Sequence, residues 1–549
     1  MEYNEQIHFT INHLIETWSS ITRYFSQNPE YLVNSQISYC QDYQRLCKNL
    51  SDRSQESTDK RFQHNEWQTN TLLHFIKQSY LLLSQHIDNL IKNIEPHDEK
   101  MAKKLRFYCR QWMDAVAPSN FANINPDILS KSFESNGTNL LNGLKHFLED
   151  LEQGKGQLNI KMTDFDMFEL GENIACTPGK IIYQNDLMQL IQYTATTEEI
   201  YQHPLLIIPP WINKYYILDL QQENSLVKWL VDQGFTVFMI SWVNPTNHHK
   251  EKQFSDYLFD GPLSALKIIK KIIGEEKINV LGYCVGGTLL GCMLAYLSEK
   301  SNSSIVSATF LTTLLDFSDP GELGVFIDEE QISMLEKHMK SKGYLDGRIM
   351  ASVFNALRAN DLIWSSFVNN YLKGDKPKPF DLLYWNADST NIPEKVHSFY
   401  LRNMYLNNDL SKPGKIKMAD MPLDLSKITL PCYFLATQDD HIVPWKTSYK
   451  SKQCLNSPVK FVLASSGHVA GVINPPHKKK YGYWTNPNKL KNPDNFLKKA
   501  TFHQGSWWND WVEWLKKYSG KLLSMNHLNH NVQKIIENAP GSYVKDRLN

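Results

Sequence analysis

Short apolar runs alternate with amphipathic stretches from residue 204 to residue 464 of this 549-residue chain. The runs have the length and composition of buried strands, and the stretches between them carry the apolar spacing of helices. Strands that alternate with helices favour a parallel sheet covered by helices on both faces. The predicted strands are 204–208, 236–241, 277–283, 308–313, 432–437 and 459–464, and the predicted helices are 222–233, 263–273, 285–299 and 444–454.

The first part of the chain lacks this alternation. Its apolar residues recur mostly at three- and four-residue spacing, which predicts helices over residues 66–91 and 140–151. Gly154 and Gly156 then mark a domain boundary. We therefore predict a helical N-terminal domain over residues 1–155 and an α/β domain over residues 165–549.

One interval inside the predicted α/β domain breaks the alternation. Residues 314–431 separate two predicted strands and are rich in Met, Leu, Phe and Trp. An insertion of this size within an α/β domain is typical of a cap or lid over a functional site. We predict this cap at about residues 318–428.

Composition argues against several classes of protein. The 58 Lys and Arg residues balance the 58 Asp and Glu residues, so no global field attracts nucleic acid or an anionic membrane. No run reaches about 18 consecutive apolar residues, so no membrane-spanning helix is expected. The first 20 residues lack the pattern of a secretory signal. The eight cysteines are scattered and include no CxxC pair, which argues against a zinc site or a disulfide framework and fits a reducing cytoplasm.

Gly282-Tyr283-Cys284-Val285-Gly286 lies where a predicted strand meets a predicted helix. This is the context of a nucleophile elbow, a sharp turn that requires small flanking residues. At the start of a helix the amide dipoles favour a thiolate on Cys284, and the backbone N–H of Val285 would point at the oxyanion of an attacked carbonyl. The competing interpretation is a cysteine that only fills the core, which we favour for Cys292.

Two further segments occupy the positions of a base and an acid. In an α/β-hydrolase the nucleophile, the acid and the histidine follow one another in that order. His468 follows the last predicted strand, so it is the candidate base. Asp439 and Asp440 both follow the strand at 432–437, and the residues alone do not separate them, since either could instead cap the next helix.

These segments resemble those of the polyhydroxyalkanoate synthases, or poly(3-hydroxybutyrate) polymerases. GYCVGGT at 282–288 resembles the lipase-like box of that family, in which the residue before the cysteine is usually Phe. DHIVPW at 440–445 and SGHVAGVINPP at 466–476 resemble its other two catalytic segments. The resemblance covers roughly residues 165–549, and the total length is similar to the single-subunit class I type, which prefers short-chain monomers.

The resemblance implies an α/β-hydrolase fold with a cap, and it implies roles for single residues. Cys284 resembles the nucleophile of the family and His468 its general base, while Asp440, rather than Asp439, resembles the third member of the triad.

The resemblance leaves one of the two oxyanion donors open. Val285 would give one backbone donor, and Trp211 or Ile212 would give the second, of which we favour Ile212. Tyr283 and Trp211 depart from the pattern of the family without touching the triad.

The activity implied by the resemblance is acyl transfer. (R)-3-hydroxyacyl-CoA, in particular 3-hydroxybutyryl-CoA, would be polymerised into polyester with release of CoA through a cysteine thioester, and no metal or redox cofactor is needed. The implied partners are the substrate, the growing polyester chain, a second copy of the chain in a homodimer, and granule-associated proteins. The implied location is the cytoplasm, at the surface of polyhydroxyalkanoate granules. Two alternatives remain: a cysteine-nucleophile thioesterase or other hydrolase of the same fold, and an inactive scaffold protein.

Overall fold

The computed structural model describes residues 22, 24–50, 58–94, 98–156, 158–488, 490–525 and 535–548. The predicted lack of a secretory signal concerns residues outside this part of the chain, and so does the start of the helical domain predicted over residues 1–155. The chain divides into two compact units, residues 1–162 with 354–378 and residues 163–353 with 379–549. Across the described residues, no helix has the length and apolar character needed to cross a membrane.

The α-helices follow one another along both units. They are α1 (Pro29–Lys48), α2 (Glu66–Thr69), α3 (Thr71–Ile94), α4 (Glu99–Ala115), α5 (Pro126–Glu134), α6 (Thr138–Gln153), α7 (Leu226–Asp232), α8 (Phe254–Leu258), α9 (Ser264–Ile273), α10 (Val285–Glu299), α11 (Glu329–Lys342), α12 (Gly347–Leu357), α13 (Ser365–Phe367), α14 (Asp381–Ala387), α15 (Glu394–Phe399), α16 (Trp445–Ser451), α17 (Pro493–Lys498) and α18 (Trp508–Lys516).

All described strands belong to the second unit. They are β1 (Gly179–Gln184), β2 (Met188–Tyr193), β3 (Glu199–Tyr201), β4 (Leu205–Ile208), β5 (Val237–Trp242), β6 (Ile278–Tyr283), β7 (Ile305–Leu311), β8 (Tyr344–Leu345), β9 (Ile392–Pro393), β10 (Lys417–Met418), β11 (Met421–Pro422), β12 (Cys432–Thr437), β13 (Val459–Ala464), β14 (Gly482–Thr485), β15 (Thr501–Gln504), β16 (Leu522–Ser524) and β17 (Glu537–Asn538).

The first unit is helical where the structure describes it. Besides the N-terminal residues it includes residues 354–378, which lie much further along the chain. The hydroxyl of Tyr371 donates to Asp150 at 2.6 Å, and the Asn139 amide donates to the Leu372 carbonyl at 2.9 Å. A side chain at Gly143 would collide with the carbonyl of Tyr371. The close approach between α6 and residues 368–372 therefore requires a glycine at this position.

Eleven strands of the second unit form one mixed sheet, in the order β15-β14-β13-β12-β7-β6-β4-β5-β2-β1-β17. The six central strands from β13 to β5 are parallel, and they are the six strands predicted from the sequence. Antiparallel strands extend the sheet at both ends. The expectation of a parallel sheet is therefore correct for the centre and wrong for the edges.

The central strands are buried because helices cover both faces of the sheet. In β4, Leu206 and Ile208 pack into one apolar core, while Leu205 and Ile207 pack into the other. Alternate side chains of a strand point to opposite faces, so a strand buried on both faces must be apolar throughout. This requirement explains the continuous apolar runs of the sequence.

The parallel strands all end at the same edge of the sheet. β4 leads into the loop with Ile212, β6 into Cys284, β12 into Asp440 and β13 into His468. Four separated segments of the sequence therefore meet at one edge, which is where open α/β sheets place their functional sites.

Candidate active site

Cys284 occupies the turn between β6 and α10. Its backbone is in an unusual conformation, with φ 53° and ψ −124°, and its side chain is partly exposed. The Cys284 N–H donates to the Leu311 carbonyl at 2.9 Å, and the Cys284 carbonyl accepts from the Gly287 N–H at 2.9 Å. Neighbouring backbone thus holds a strained cysteine at the start of a helix, as expected for a nucleophile elbow.

The glycines beside Cys284 allow this turn to form. A Cβ atom at Gly282 would lie 2.5 Å from the Cα of Gly287. A Cβ atom at Gly286 would collide with the carbonyl oxygens of Ile208 and Pro209. The start of α10 therefore lies directly against the end of β4, and only glycine permits that approach.

His468 and Asp440 form a buried pair. The Nδ1 atom of His468 lies 2.7 Å from Oδ2 of Asp440, and the side chains are 5% and 0% exposed. Because Nδ1 is engaged by the carboxylate, Nε2 is the ring nitrogen left for a proton transfer with Cys284.

The hydrogen bonds of Asp440 separate it from its neighbour Asp439. Oδ1 of Asp440 accepts from the backbone N–H groups of Ile442 and Val443 at 2.9 and 2.8 Å, and Oδ2 also accepts from the Thr437 hydroxyl at 3.1 Å. Asp439 is exposed to solvent. The turn thus directs one carboxylate inward to His468 and the other outward.

The charge on His468 depends on its two acidic neighbours. Burial by itself lowers the pKa of this imidazole, but the Asp440 carboxylate and the Cys284 thiolate oppose burial and raise the pKa to about 10. A charged imidazole beside a thiolate is the state in which a cysteine attacks a carbonyl.

Tyr283 contacts His468 directly, so the expectation that it does not touch the triad is wrong. Its ring stacks on the imidazole, with ring centroids 5.6 Å apart and planes inclined by 25°. Its hydroxyl donates to the backbone carbonyl of His468 at 3.3 Å. The residue next to the candidate nucleophile therefore also holds the candidate base.

The candidate oxyanion donors lie at the start of α10 and in the loop after β4. Val285 is the first residue of α10, where helix geometry supplies no acceptor for its N–H. In the loop, Pro209 and Pro210 have no N–H, and the Asn213 N–H donates to the Thr390 hydroxyl at 3.0 Å.

Two loop amides remain as candidates for the second donor. The N–H groups of Trp211 and Ile212 meet no acceptor among the described residues. Both sequence candidates therefore stay available on this loop.

Aromatic side chains line the surroundings of the loop. The Trp211 ring lies 4.9 Å from the ring of Tyr257 and 6.5 Å from the ring of Tyr400, measured between centroids. Burial raises the pKa values of Tyr400 and Tyr405, and the charge of the nearby Cys284 thiolate raises them further. Both phenols therefore stay neutral hydrogen-bond donors near the sulfur. No motif in the sequence singles them out.

Cys292 is not part of the candidate active site. It is fully buried in α10, and burial raises the pKa of its thiol to about 12. A thiol of that kind packs in the core and does not react, which agrees with the core-filling role predicted for Cys292 from the sequence.

Two known protein families have models that match this chain. The chain matches the family model for the poly-beta-hydroxybutyrate polymerase N-terminus over residues 58–230, and that for the alpha/beta hydrolase fold over residues 204–475. The second match and the mixed sheet confirm the predicted fold class.

Curated relatives match almost the whole chain. A poly(3-hydroxyalkanoate) polymerase of Methylorubrum extorquens is 44% identical, over 98% of this chain and 89% of that protein. Poly(3-hydroxyalkanoate) polymerase subunits of Rhizobium etli and Cupriavidus necator are 42% and 41% identical, over 97% and 94% of this chain and 86% and 89% of those proteins.

Proposed function

The chain belongs to the family of poly(3-hydroxyalkanoate) polymerases, and from this premise we propose that it joins (R)-3-hydroxyacyl groups from CoA thioesters into a polyester. The proposed substrate is 3-hydroxybutyryl-CoA. The observation that carries the proposal is the buried pair of His468 and Asp440 at the sheet edge that also bears Cys284. A thiol, an imidazole and a carboxylate in this order are the groups that thiol-based acyl transfer requires.

In the first step the acyl group moves from CoA to the enzyme. His468 accepts the proton of the Cys284 thiol, and the thiolate attacks the thioester carbonyl. The new carbon–sulfur bond forms, the bond to the CoA sulfur breaks, and His468 passes the proton to the departing CoA thiolate. One thioester replaces another, so the step is readily reversible. A serine would instead leave an ester, the same type of bond as the product.

The oxyanion formed in this step needs backbone donors. The N–H of Val285 at the start of α10 and that of Ile212 in the loop after β4 are the proposed pair. The contact between Gly286 and the carbonyls of Ile208 and Pro209 supports this assignment, because it brings the two segments together.

In the second step the chain grows by one ester. The 3-hydroxyl of another acyl unit, or of the growing chain, attacks the thioester on Cys284 while His468, assisted by Asp440, accepts the hydroxyl proton. The carbon–oxygen bond forms, the carbon–sulfur bond breaks, and the proton returns to the Cys284 thiolate. The aromatic residues around Trp211 support a polyester acceptor over water, because an apolar wall favours an apolar chain.

The alternative function is a thioesterase, in which water replaces the hydroxyl of the second step. Its first step is identical, so CoA release alone does not separate the two activities. The named relatives do not favour it.

One assay separates these outcomes. The purified chain is incubated with 3-hydroxybutyryl-CoA, free CoA is followed with a thiol reagent, and products are analysed after separation of insoluble material. CoA together with insoluble polyester is the expected result. CoA with only free 3-hydroxybutyrate would make the enzyme a thioesterase, and no CoA release would contradict an enzymatic role.

We further propose that the enzyme acts as a homodimer in the cytoplasm, at the surface of the polyester granules it produces, where granule-associated proteins would be further partners. Exposed apolar side chains on α6 support attachment to the granule surface. Single exposed apolar residues are common on proteins, whereas a row of them is typical of a contact surface. The row comprises Leu141, Leu144 and Leu148, with Phe133 on α5 also exposed. Light scattering of the purified protein, and its co-sedimentation with polyester particles, would test the two statements separately.

A further inference from the structure

Thr390 makes two hydrogen bonds to the loop after β4. It lies between α14 and β9, within the long interval that separates β7 from β12, and it is 5% exposed. Its hydroxyl donates to the carbonyl of Trp211 at 2.7 Å and accepts from the N–H of Asn213 at 3.0 Å. A hydroxyl has one donor and two acceptor sites, so both bonds can exist together.

These two bonds hold the peptides on both sides of Ile212, and the first of them fixes the peptide between Trp211 and Ile212. The Trp211 carbonyl and the Ile212 N–H belong to one planar trans peptide, in which the two groups point in opposite directions. Because the carbonyl points at Thr390, the Ile212 N–H points away from it. Among the described residues this N–H meets no acceptor.

Other side chains hold the rest of the loop. The indole of Trp242 donates to the Pro209 carbonyl at 2.9 Å, and the indole of Trp385 donates to the Lys214 carbonyl at 2.7 Å. Asn213 has φ 61°, a left-handed conformation. The two ends of the loop are therefore anchored independently of Thr390, and Thr390 acts on the peptide in the middle.

We propose that Thr390 is a positioning residue that orients the Ile212 N–H as the second oxyanion donor beside Val285. The inference rests on the proposed function and extends it to the interval before β12. Donation to the Trp211 carbonyl also polarises the peptide and strengthens the Ile212 N–H as a donor. The Thr390 hydroxyl is used by these two backbone bonds, so Thr390 acts only through the peptides that flank Ile212.

The test is the substitution Thr390→Val, which keeps the shape of the side chain and removes its hydroxyl. The rate of the first CoA release from 3-hydroxybutyryl-CoA, measured in a single turnover, is expected to fall about 10- to 100-fold, somewhat less than the loss of a whole oxyanion donor. The KM is expected to change little. Thr390→Ser is expected to stay within about threefold of the wild-type rate, because it restores the hydroxyl.

Alkylation of Cys284 by iodoacetamide distinguishes the loss of a correctly oriented oxyanion donor from general damage to the active site. That reaction needs the nucleophile but forms no oxyanion, so its rate in Thr390→Val is expected to equal that of the wild type. The matched control is Thr447→Val, which removes another buried hydroxyl that donates to a carbonyl, that of Asp319, at 2.8 Å. This control is expected to release CoA at the wild-type rate.

Three results would overturn the proposal: wild-type acylation by Thr390→Val, a parallel loss of acylation and alkylation, or failure of Thr390→Ser to restore the rate. If Thr390→Val does not fold by circular dichroism, Thr390→Ala carries the same readouts without placing a methyl group against the carbonyl. A wild-type enzyme that releases no CoA would instead refute the proposed function.

Discussion

The Nδ1 atom of His468 lies 2.7 Å from Oδ2 of Asp440, and both side chains are shielded from solvent. The carboxylate fixes the orientation of the ring and leaves Nε2 for Cys284. The protonation of His468, and through it the reactivity of the thiol, therefore depends on a residue 28 positions earlier in the chain.

Replacing the nucleophile should stop the first chemical step. Cys284→Ala is expected to lower CoA release at least 1000-fold, because no other group at the turn can form the thioester. Cys284→Ser is expected to leave little activity and to accumulate acylated enzyme, visible by mass spectrometry. Cys292→Ala on the same helix is the control and should retain turnover. Turnover by Cys284→Ala would refute the nucleophile assignment.

Asp440→Asn should affect the two chemical steps unequally. A hydroxyl is harder to deprotonate than a thiol, so chain growth depends more on the basicity of His468 than the first acylation does. We expect steady-state polymer formation to fall about 100-fold or more, and the first CoA release to fall less. Rapid-quench kinetics measures both rates. Asp439→Asn, at the exposed neighbour, should change neither, and equal losses in Asp440→Asn would contradict this division of roles.

The pKa of His468 should respond to the same substitution. In the wild type the ring holds its proton until the pH rises towards about 10, because the neighbouring charges outweigh burial. Removing the Asp440 charge leaves burial less opposed, so the titration of His468 in Asp440→Asn is expected at lower pH. Nuclear magnetic resonance of the imidazole measures both curves. Identical titrations would show that Asp440 does not control the charge on the ring.

Asp219 should make stability depend on pH away from the active site. Its carboxyl group is buried and accepts from the hydroxyls of Thr177 and Ser225, and burial raises its pKa to about 6 despite these hydrogen bonds. A raised carboxyl pKa means that the folded state binds the proton more tightly. The associated stability is complete below pH 4 and is lost as the pH rises to about 6, by on the order of 3 kcal/mol.

Asp219→Asn should remove this contribution, because an amide does not titrate. Relative to the wild type, the variant is therefore expected to gain stability between pH 4 and pH 7. Urea unfolding of both proteins across this range measures the difference, in which the other titrating groups cancel. Parallel stability curves would contradict the raised pKa.

Tyr283→Phe should separate the two contacts of Tyr283 with His468. The variant keeps the stacked ring and loses the hydroxyl that donates to the His468 carbonyl. We expect a loss of about 1 kcal/mol in the free energy of unfolding and a change in activity of only a few-fold. Tyr283→Leu removes the ring as well and should cost more in both. Thermal unfolding and CoA release measure the two effects, and equal losses in both variants would show that the ring contributes nothing.

The central sheet could be predicted because it leaves a strong local pattern. Strands buried on both faces must be apolar at every position, and β12, β13 and α10 lie where the sequence placed them. Two of the antiparallel strands, β15 and β17, were missed for the opposite reason. β15 is mostly exposed, and β17 has only two residues, which pair with β1 from far away in the sequence. Short strands of this kind are set by their partners rather than by their own residues.

Within the site, the choice between Asp439 and Asp440 also could not be made from the sequence. Both residues follow the same strand, and neither sequence position nor chemistry distinguishes them. The backbone N–H groups of Ile442 and Val443 turn one carboxylate towards His468. Adjacent side chains in a tight turn point in different directions, so the conformation of the turn decides which one reaches the ring.

By itself the sequence determined the fold class, the position of the elbow and the order of the candidate triad. These features depend on local requirements, namely small residues around Cys284 and an apolar strand before each candidate residue. Such requirements are visible in the residues that lie next to one another in the sequence. Only the tertiary structure decided which groups support them. Thr390 meets Trp211 across 179 positions, and Tyr283 meets His468 across 185. Such contacts depend on the path of the whole chain between the two residues, and no local pattern carries that information.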